Sequence, residues 1–255
     1  MSANPYESER LLAEYLLFHY GSPEEILPAG APAGMRDALD FAVRTTRHFS
    51  LGGVDRTLDL GCAVGRSTYE LSRDSAETLG IDFSSSFVRA AAAIADGPQA
   101  YQRLDEAHRR TELLARLPAG SHFKGVFFET GDAMDLRADL GDFDRVHAAN
   151  LLCRLTEPRK LLERLPTLVR PGGELVLATP CTWLGEFTPP ENWPAGSTLE
   201  WLKEALGADF ELIKVADEPF LIRETARKFQ WTSSMVTTWR RRLTSAAADA
   251  PASLP

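Results

Sequence analysis

The sequence predicts an α/β fold built on a mostly parallel sheet, and three observations lead to this prediction. Short apolar runs of strand length alternate with helix-length segments between residues 57 and 179. A glycine-containing loop at residues 61–65 joins the first of these strands to a helix. Two strand-like segments near the end of the chain follow each other without a crossover helix, which favours an antiparallel hairpin.

The predicted elements begin with a helix from Pro5 to Tyr20, where apolar residues recur at helical spacing before Gly21. A loop rich in proline and glycine follows at residues 23–34, and a second helix is expected over residues 35–49, so that residues 1–50 form a helical cap. The later elements are strands 57–60, 78–83, 125–129, 144–149, 174–179, 210–215 and 231–239, and helices 66–73, 87–94, 104–117 and 158–169.

The chain organisation is that of one domain over residues 1–243, and the tail, residues 244–255, is expected to be disordered. The formal net charge of −8 argues against partners such as nucleic acid or an anionic membrane, since both attract clustered Lys and Arg. Cys62, Cys153 and Cys181 have no paired spacing, which is typical of reduced thiols in a cytoplasmic protein. His48, His108 and His122 have no acidic or His partners at metal-ligand spacing, so we predict no metal.

The loop after the first strand reads Gly61-Cys62-Ala63-Val64-Gly65-Arg66. It fails the dinucleotide fingerprint, because Ala63 and Arg66 occupy its second and third glycine positions. Asp59 precedes the loop and would repel a pyrophosphate by about 4 kcal/mol per charge pair at an intermediate dielectric. The same carboxylate would attract an ammonium and a sulfonium group. S-adenosylmethionine carries both charges, so the loop favours this cofactor, with S-adenosylhomocysteine as its product.

Acidic residues lie at the ends of the next two strands, where a nucleoside would bind. Asp82 is placed to chelate the two ribose hydroxyls, with Phe83 against the adenine. Asp132 is placed to accept a hydrogen bond from the adenine amino group, and Met134 can cover the ring. The predicted cofactor-binding residues are Asp59, Gly61, Cys62, Ala63, Gly65, Arg66, Ser67, Asp82, Phe83, Asp132, Ala133, Met134 and Asn150.

Together with Phe143-Asp144-Arg145-Val146 and the turn Pro171-Gly172-Gly173 before a later strand, these segments resemble the class I methyltransferase superfamily. The resemblance covers nearly the whole chain. It implies a Rossmann-like fold with a seven-stranded, mostly parallel sheet, an antiparallel C-terminal hairpin and an N-terminal helical cap. Such motifs define the fold and the cofactor and leave the substrate open.

A narrower resemblance lies in residues 6–21, 59–67, 150–155, 182–189 and 223–231. These segments are similar to the methyltransferase of ovothiol biosynthesis, which methylates an imidazole nitrogen of 5-thiohistidine. That enzyme is often fused behind an iron-dependent sulfoxide synthase, and we expect this chain to be a stand-alone form. The resemblance implies a small thiohistidine-type substrate.

Substrate groups are expected from the segments that follow strands four and five and from the connection before the last strand. The predicted substrate-binding residues are Tyr15, Asn150, Arg154, Trp183, Phe187, Arg223, Glu224, Lys228 and Gln230. Arg223 is favoured as the clamp for a substrate carboxylate, because a guanidinium group binds a carboxylate through two hydrogen bonds. His19, Tyr20 and Glu186 are the candidates for a general base.

Three alternatives remain open. The acceptor could be the selenium analogue of thiohistidine or another small heterocycle or amino acid. An NAD-dependent oxidoreductase is disfavoured by Ala63 and Asp59. A non-catalytic module that binds S-adenosylmethionine for regulation would keep the same cofactor residues, and turnover of any acceptor would distinguish it from an enzyme.

Overall fold

The structure, a computed structural model, describes residues 5–243, apart from the side chain of Pro5. The predicted disordered tail lies outside the described residues. The strands are β1 (Val54–Leu60), β2 (Ser75–Asp82), β3 (Gln99–Glu106), β4 (Arg109–Ala115), β5 (Val126–Thr130), β6 (Phe143–Ala149), β7 (Val169–Thr179), β8 (Phe210–Arg223) and β9 (Phe229–Arg241). The α-helices are α1 (Glu9–Tyr20), α2 (Pro23–Ile26), α3 (Ala33–Arg36), α4 (Phe41–Arg44), α5 (Arg66–Leu71), α6 (Ser85–Asp96), α7 (Pro158–Leu168) and α8 (Thr198–Leu206).

Seven strands form the main sheet in the order β5-β2-β1-β6-β7-β9-β8. The strands from β5 to β7 run parallel, whereas β9 is antiparallel to both β7 and β8. This arrangement confirms the predicted Rossmann-like sheet with its antiparallel C-terminal hairpin. The chain leaves β1 towards β2 and later returns to the other side of β1 with β6, so the carboxyl ends of β1 and β6 flank the point where the strand order reverses. Ligands of open α/β sheets bind at this point.

Helices cover both faces of the main sheet. On one face, Leu161 and Leu165 of α7 and Trp201 of α8 pack into a core with the sheet residues Leu58 and Val146. On the other face, α1 and α6 belong to a second apolar cluster. Both sides of the central strands are therefore covered, which explains why the residues of β6 are buried without alternation from Phe143 to Ala148.

The largest correction to the predicted elements concerns residues 104–117, which were predicted as a surface helix. They belong to a separate two-stranded hairpin formed by β3 and β4. In β4, Thr111, Leu113 and Ala115 face inward and alternate with exposed residues, which is the period-two pattern of a strand. The many charged side chains between these positions made the segment resemble an exposed helix.

The predicted second helix, residues 35–49, is also broken into shorter pieces. Asp40 has a left-handed backbone with φ of 57°, which ends one helical segment before α4 begins. A short 3₁₀ helix, Thr45–His48, continues the segment after α4. Helix α8 was not predicted from the sequence. The predicted C-terminal strands are too short, because β8 continues to Arg223 and β9 begins at Phe229.

Candidate active site

The loop between β1 and α5 has a backbone that depends on its glycines. Gly61 and Gly65 have φ values of 69° and 85°, in the region that favours glycine. A Cβ atom on Gly65 would also lie 2.8 Å from Ala91 Cβ and from a ring atom of Phe128. Glycine at residue 65 therefore lets α5 approach α6 and β5 closely, while Gly61 itself lines the large cavity described below.

Asp59 does not contact this cavity, which corrects the predicted direct contact with the ligand. Its side chain is 1% exposed. One carboxylate oxygen accepts hydrogen bonds from the hydroxyl groups of Ser67 and Thr68, both at 2.7 Å, and the other lies 2.7 Å from Nδ1 of His147. Asp59 thus fixes the start of α5 and the orientation of His147.

Asp82 ends β2 and lines the cavity. Its carboxylate accepts hydrogen bonds from the backbone N–H groups of Ala63 at 2.9 Å and Ser84 at 2.8 Å. Burial raises the pKa of Asp82, and these two N–H groups act in the opposite direction. The neighbouring Phe83 ring is 63% exposed, so it is available to cover a flat group.

Asp132 follows β5 and lines the same cavity, with Oδ1 accepting a hydrogen bond from the Met134 backbone at 2.8 Å. The sulfur of Met134 in turn accepts from the Thr156 hydroxyl and the Glu157 backbone. Acidic groups from β2 and β5 and apolar cover from Phe83 and Met134 therefore converge on one space, as the sequence predicts.

The cavity has a volume of about 570 Å³ and lies at the carboxyl ends of the parallel strands. This volume is within the range of roughly 300–1,000 Å³ that small-molecule sites occupy. The residues here called the cofactor side are Gly61, Ala63, Ser67, Ile81, Asp82, Phe83, Gly131, Asp132, Ala133 and Met134. The residues here called the acceptor side include Tyr6, Tyr15, Phe18, His19, Phe41, Asn150, Arg154, Glu186, Phe187 and Phe220.

The cofactor side fits S-adenosylmethionine. The Asp82 carboxylate is held by two backbone donors and still faces the cavity, as a ribose-binding acid should. Gly61 and Leu151 both line the cavity, and they lie so close together that a Cβ atom on Gly61 would be 3.1 Å from the Leu151 side chain. The fold and this site together have the features of a class I, S-adenosylmethionine-dependent methyltransferase domain.

Comparison with known proteins supports this class. Residues 58–175, a little under half of the chain, match the family described as "Methyltransferase domain". The chain is similar to the O-methyltransferase cnsE of Penicillium expansum, with 27% identity over 188 residues, covering 69% of this chain and 59% of cnsE. It is also similar to the demethylmenaquinone methyltransferase of Clavibacter sepedonicus, with 30% identity over 137 residues, covering 54% of this chain and 46% of that protein. The chain therefore spans less than two thirds of the length of either relative.

Among solved structures, the fold is similar to that of the N-methyltransferase NodS from Bradyrhizobium japonicum WM9 in complex with S-adenosyl-L-homocysteine. The TM-score is 0.51 at 14% identity, with 90% of this chain and 98% of NodS covered. At this identity the likeness concerns the fold.

His19 lies on the acceptor side with an unusual environment. Burial is the largest cause that lowers its pKa, to about 3, and the nearby Arg66 charge lowers it further, whereas Asp59 raises it. The ring stacks on Tyr15 with a centroid distance of 5.9 Å. Its Nδ1 atom is buried and has no hydrogen-bond partner within the described chain. His19 is therefore a neutral imidazole at pH 7.

The remaining acceptor-side groups come from the ends of β6 and β7. Asn150 has a left-handed backbone with φ of 56°, and its side-chain oxygen accepts a hydrogen bond from Ser234 at 2.7 Å. The Arg154 guanidinium carbon lies 4.4 Å from the centre of the Phe187 ring. Glu186 is exposed beside it. Tyr15, His19, Asn150, Arg154, Glu186 and Phe187 are thus brought to one cavity, as the sequence predicts.

Arg223, the predicted carboxylate clamp, lies elsewhere, and this interpretation is corrected. It is 7% exposed and is not among the residues that line the cavity. Its guanidinium donates to the carbonyl oxygens of Glu25 and Ile26 at 3.1 and 3.0 Å and to Asp105 at 3.0 Å. Arg223 therefore ties the cap and the β3–β4 hairpin to β8.

Several other predicted residues also lie outside the cavity lining. Glu224 pairs with Lys228 and Gln230 next to the β8–β9 turn, at 2.6 and 2.8 Å. The Trp183 ring nitrogen donates to Thr198 at 3.0 Å, which packs this tryptophan on α8. The Tyr20 hydroxyl donates to the Val64 carbonyl at 2.8 Å, so its proton is directed away from a substrate.

On the cofactor side, three predicted residues support the loop from behind. Cys62 is fully buried, and Gly65 packs on α6. Arg66 pairs with Glu70 at 3.0 Å and donates to the His19 carbonyl at 3.2 Å. These residues are therefore corrected from direct to indirect contributors.

Sequence reasoning missed several aromatic residues on the acceptor side, namely Tyr6, Phe18, Phe41, Phe87 and Phe220. Phe18 lies three residues after Tyr15 on α1, and this spacing was available as a signal that both face the same way. His147 on β6 is 1% exposed, and it also borders the cavity.

Within residues 5–243, no group of three or more His, Cys, Asp or Glu side chains is arranged to hold a metal ion. No helix in that part of the chain has the length and apolar character needed to cross a membrane.

Proposed function

We propose that this protein transfers a methyl group from S-adenosylmethionine to an imidazole nitrogen of 5-thiohistidine. The observation that carries the proposal is the acceptor side of the cavity, where the rings of Tyr15 and Phe18 pack on the neutral imidazole of His19 and the Phe187 ring lines the same cavity. Such walls fit a flat polar heterocycle. The resemblance of residues 6–21 and 182–189 to the ovothiol methyltransferase supports the same substrate.

The relatives support the reaction class and leave the acceptor atom open. cnsE is an O-methyltransferase, NodS is an N-methyltransferase, and the third relative is a demethylmenaquinone methyltransferase, so their acceptors differ. The S-adenosylhomocysteine in NodS supports the use of S-adenosylmethionine here. The chain spans only part of the length of both relatives, so the activity of the whole protein is proposed here and does not follow from theirs.

When bound, S-adenosylmethionine supplies a methyl group attached to a positively charged sulfur. Gly61, Asp82 and Asp132 would hold this cofactor on the cofactor side, and its methyl carbon would pass to the acceptor nitrogen, with the electron pair of the broken carbon–sulfur bond left on sulfur. Catalysis then consists mostly of orientation and exclusion of water. The stacked rings of Tyr15 and His19 form a flat wall on which the acceptor ring can lie. Burial lowers the pKa of His19 to about 3, so this wall carries no charge at pH 7.

A proton must leave the acceptor ring when both nitrogens are protonated, and the geometry favours Glu186 as its acceptor. The hydroxyl of Tyr20 is engaged by Val64, and a histidine with a pKa of about 3 is a weak base at pH 7. Asp82 and Asp132 line the cofactor side, which leaves Glu186 as the carboxylate of the acceptor side within the described residues. Its exposure lets it pass the proton to solvent.

The proposal is tested by a mass-spectrometric endpoint assay with S-adenosylmethionine and 5-thiohistidine. Histidine and ergothioneine serve as controls, and selenohistidine as a competing acceptor. A product heavier by one methylene that fragments as a ring N-methyl compound is the expected result. No product with any acceptor, despite tight binding of S-adenosylmethionine, would contradict the proposal and favour a non-catalytic binding module.

A further inference from the structure

Arg154 is a cation without a counter-ion in the described part of the chain. It ends a short 3₁₀ helix, Leu152–Arg154, after β6, and its guanidinium stacks on Phe187 at 4.4 Å. No hydrogen bond or ion pair joins this guanidinium to a described side chain or carbonyl group, and its Nη1 atom is buried. A buried donor of a charged group that stays unpaired is costly, so this nitrogen requires a partner from outside the chain.

The other cavity-facing or neighbouring arginines differ in this respect. Arg66 pairs with Glu70 and Arg44 with Glu218, at 3.0 and 2.7 Å. The acids of the cofactor side are occupied as well, since Asp82 accepts from two backbone N–H groups and Asp132 from one. Glu186 lines the same cavity as Arg154 but forms no ion pair with it. The cavity therefore offers an unused positive charge on its acceptor side.

The position of this charge is set by the cap as well as by β6. The Arg154 charge lowers the pKa of both Tyr6 and Tyr15, against the burial that raises it. Arg154 thus lies within electrostatic reach of the ring wall on α1. A ligand that stacks on this wall can place an anionic substituent at the guanidinium group, whose planar fork matches a carboxylate.

We infer that Arg154 binds the carboxylate of the acceptor, so that the enzyme takes amino-acid acceptors and discriminates against their decarboxylated amines. This inference rests on the proposed function in one respect, namely that the acceptor is a small molecule bound beside S-adenosylmethionine. It assigns to Arg154 the clamp that the sequence analysis gave to Arg223. It does not depend on the thiol of the acceptor.

The test measures binding to the protein saturated with S-adenosylhomocysteine, using calorimetry. Two pairs of probes are compared: L-histidine with histamine, and 5-thiohistidine with its decarboxylated amine. The variants are Arg154→Gln and Arg154→Lys. Arg159→Gln is the matched control, because Arg159 also stacks on an aromatic ring, that of Trp201 at 5.6 Å, but lies outside the cavity lining.

The wild-type protein is expected to bind the amino acid of at least one pair about 10-fold or more tightly than its amine, the value of one charged hydrogen bond. Arg154→Gln should bring this ratio close to one, Arg154→Lys should retain part of it, and Arg159→Gln should leave it unchanged. Equal binding within both pairs in the wild type would overturn the inference. So would an Arg154→Gln variant that loses affinity for S-adenosylhomocysteine while the ratio persists, since Arg154 would then hold the cofactor carboxylate.

The two failures can be told apart. If the wild type methylates 5-thiohistidine but the ratio is independent of Arg154, the proposed function stands and the inference fails. If 5-thiohistidine is not methylated but the histidine and histamine pair shows the ratio and its loss in Arg154→Gln, the thiohistidine substrate is wrong and the carboxylate clamp remains.

Discussion

The two sides of the cavity are built in different ways. The cofactor side consists of strand ends and the residues directly after them, such as Gly61, Asp82 and Asp132, whose positions follow from the parallel sheet. The acceptor side combines α1, the segment after β6 and the segment after β7, which are far apart in the sequence. The cofactor side therefore uses features common to class I methyltransferases. The residues of the acceptor side can vary, and the substrate with them, without disturbing the sheet.

The largest expected effect is on the cofactor side, with Asp82→Asn. Loss of charge-assisted hydrogen bonds to two ribose hydroxyls should lower the affinity for S-adenosylhomocysteine about 100-fold. Asp135→Asn, at an exposed aspartate just after the cavity residues of the β5 loop, is the control and should bind normally. Calorimetry measures both constants. If Asp82→Asn bound S-adenosylhomocysteine as tightly as the wild type, Asp82 would not bind the ribose, and the division of the cavity into a cofactor side and an acceptor side would be wrong.

The next effect concerns an arginine that supports the cap rather than the substrate. Arg223→Leu removes three donors from Glu25, Ile26 and Asp105 and should lower the free energy of unfolding by about 2–3 kcal/mol. The Michaelis constant for the acceptor should stay near that of the wild type. Urea denaturation and steady-state kinetics measure the two quantities. Arg227→Ala, at an exposed arginine, is the control for loss of a nearby charge. If Arg223→Leu raised the Michaelis constant for the acceptor without loss of stability, Arg223 would be the carboxylate clamp after all.

A smaller effect is the pH dependence that His19 gives to stability. Its pKa is about 3 in the folded protein, below the ordinary value of 6.5, so between these values the unfolded chain binds more protons. Stability contributed by neutral His19 is therefore complete above pH 6.5 and decreases as the pH falls through this window. Between pH 7 and pH 5 the wild type should lose on the order of 2 kcal/mol more than His19→Gln. Urea denaturation at both pH values measures this, and equal losses would show that His19 is hydrated and able to act as a base.

The smallest effect is expected for Tyr20→Phe. Removing the hydroxyl group that donates to Val64 should cost about 1 kcal/mol of stability and leave the pH profile of kcat unchanged. Glu186→Gln is the informative contrast, because it should lower kcat and flatten that profile. A large loss of kcat in Tyr20→Phe with a normal Glu186→Gln variant would reverse the assignment of the proton acceptor.

Beyond the order of strands and helices, many of the features that the sequence predicted correctly are local ones. The strands at residues 57–60 and 144–149, the glycine loop and the acids at the ends of β2 and β5 each depend on a few adjacent residues. The β3–β4 hairpin was missed because its exposed charges hid the alternation of Thr111, Leu113 and Ala115. The same limit applies to Asp40, where a single left-handed residue divides a segment of helical composition.

The role of Arg223 could not be predicted because its partners are distant in the chain. The carbonyl oxygens of Glu25 and Ile26 are 198 and 197 residues away, and Asp105 is 118 residues away on the unpredicted hairpin. Arg154 was predicted among the substrate-binding residues, but the sequence did not indicate that it, rather than Arg223, is the unpaired arginine of the cavity. Only the absence of a partner within the described residues, together with its place in the cavity, distinguishes it.

The most direct measurement of the central claim is a crystal structure of the complex with S-adenosylhomocysteine and 5-thiohistidine. The account predicts the ribose hydroxyls at Asp82, the imidazole ring between Tyr15 and Phe187, and the acceptor carboxylate at the Arg154 guanidinium. A complex in which the nucleoside does not contact Asp82 would contradict it. So would one in which the acceptor ring does not contact Tyr15 on α1 and Arg154 stays unpaired.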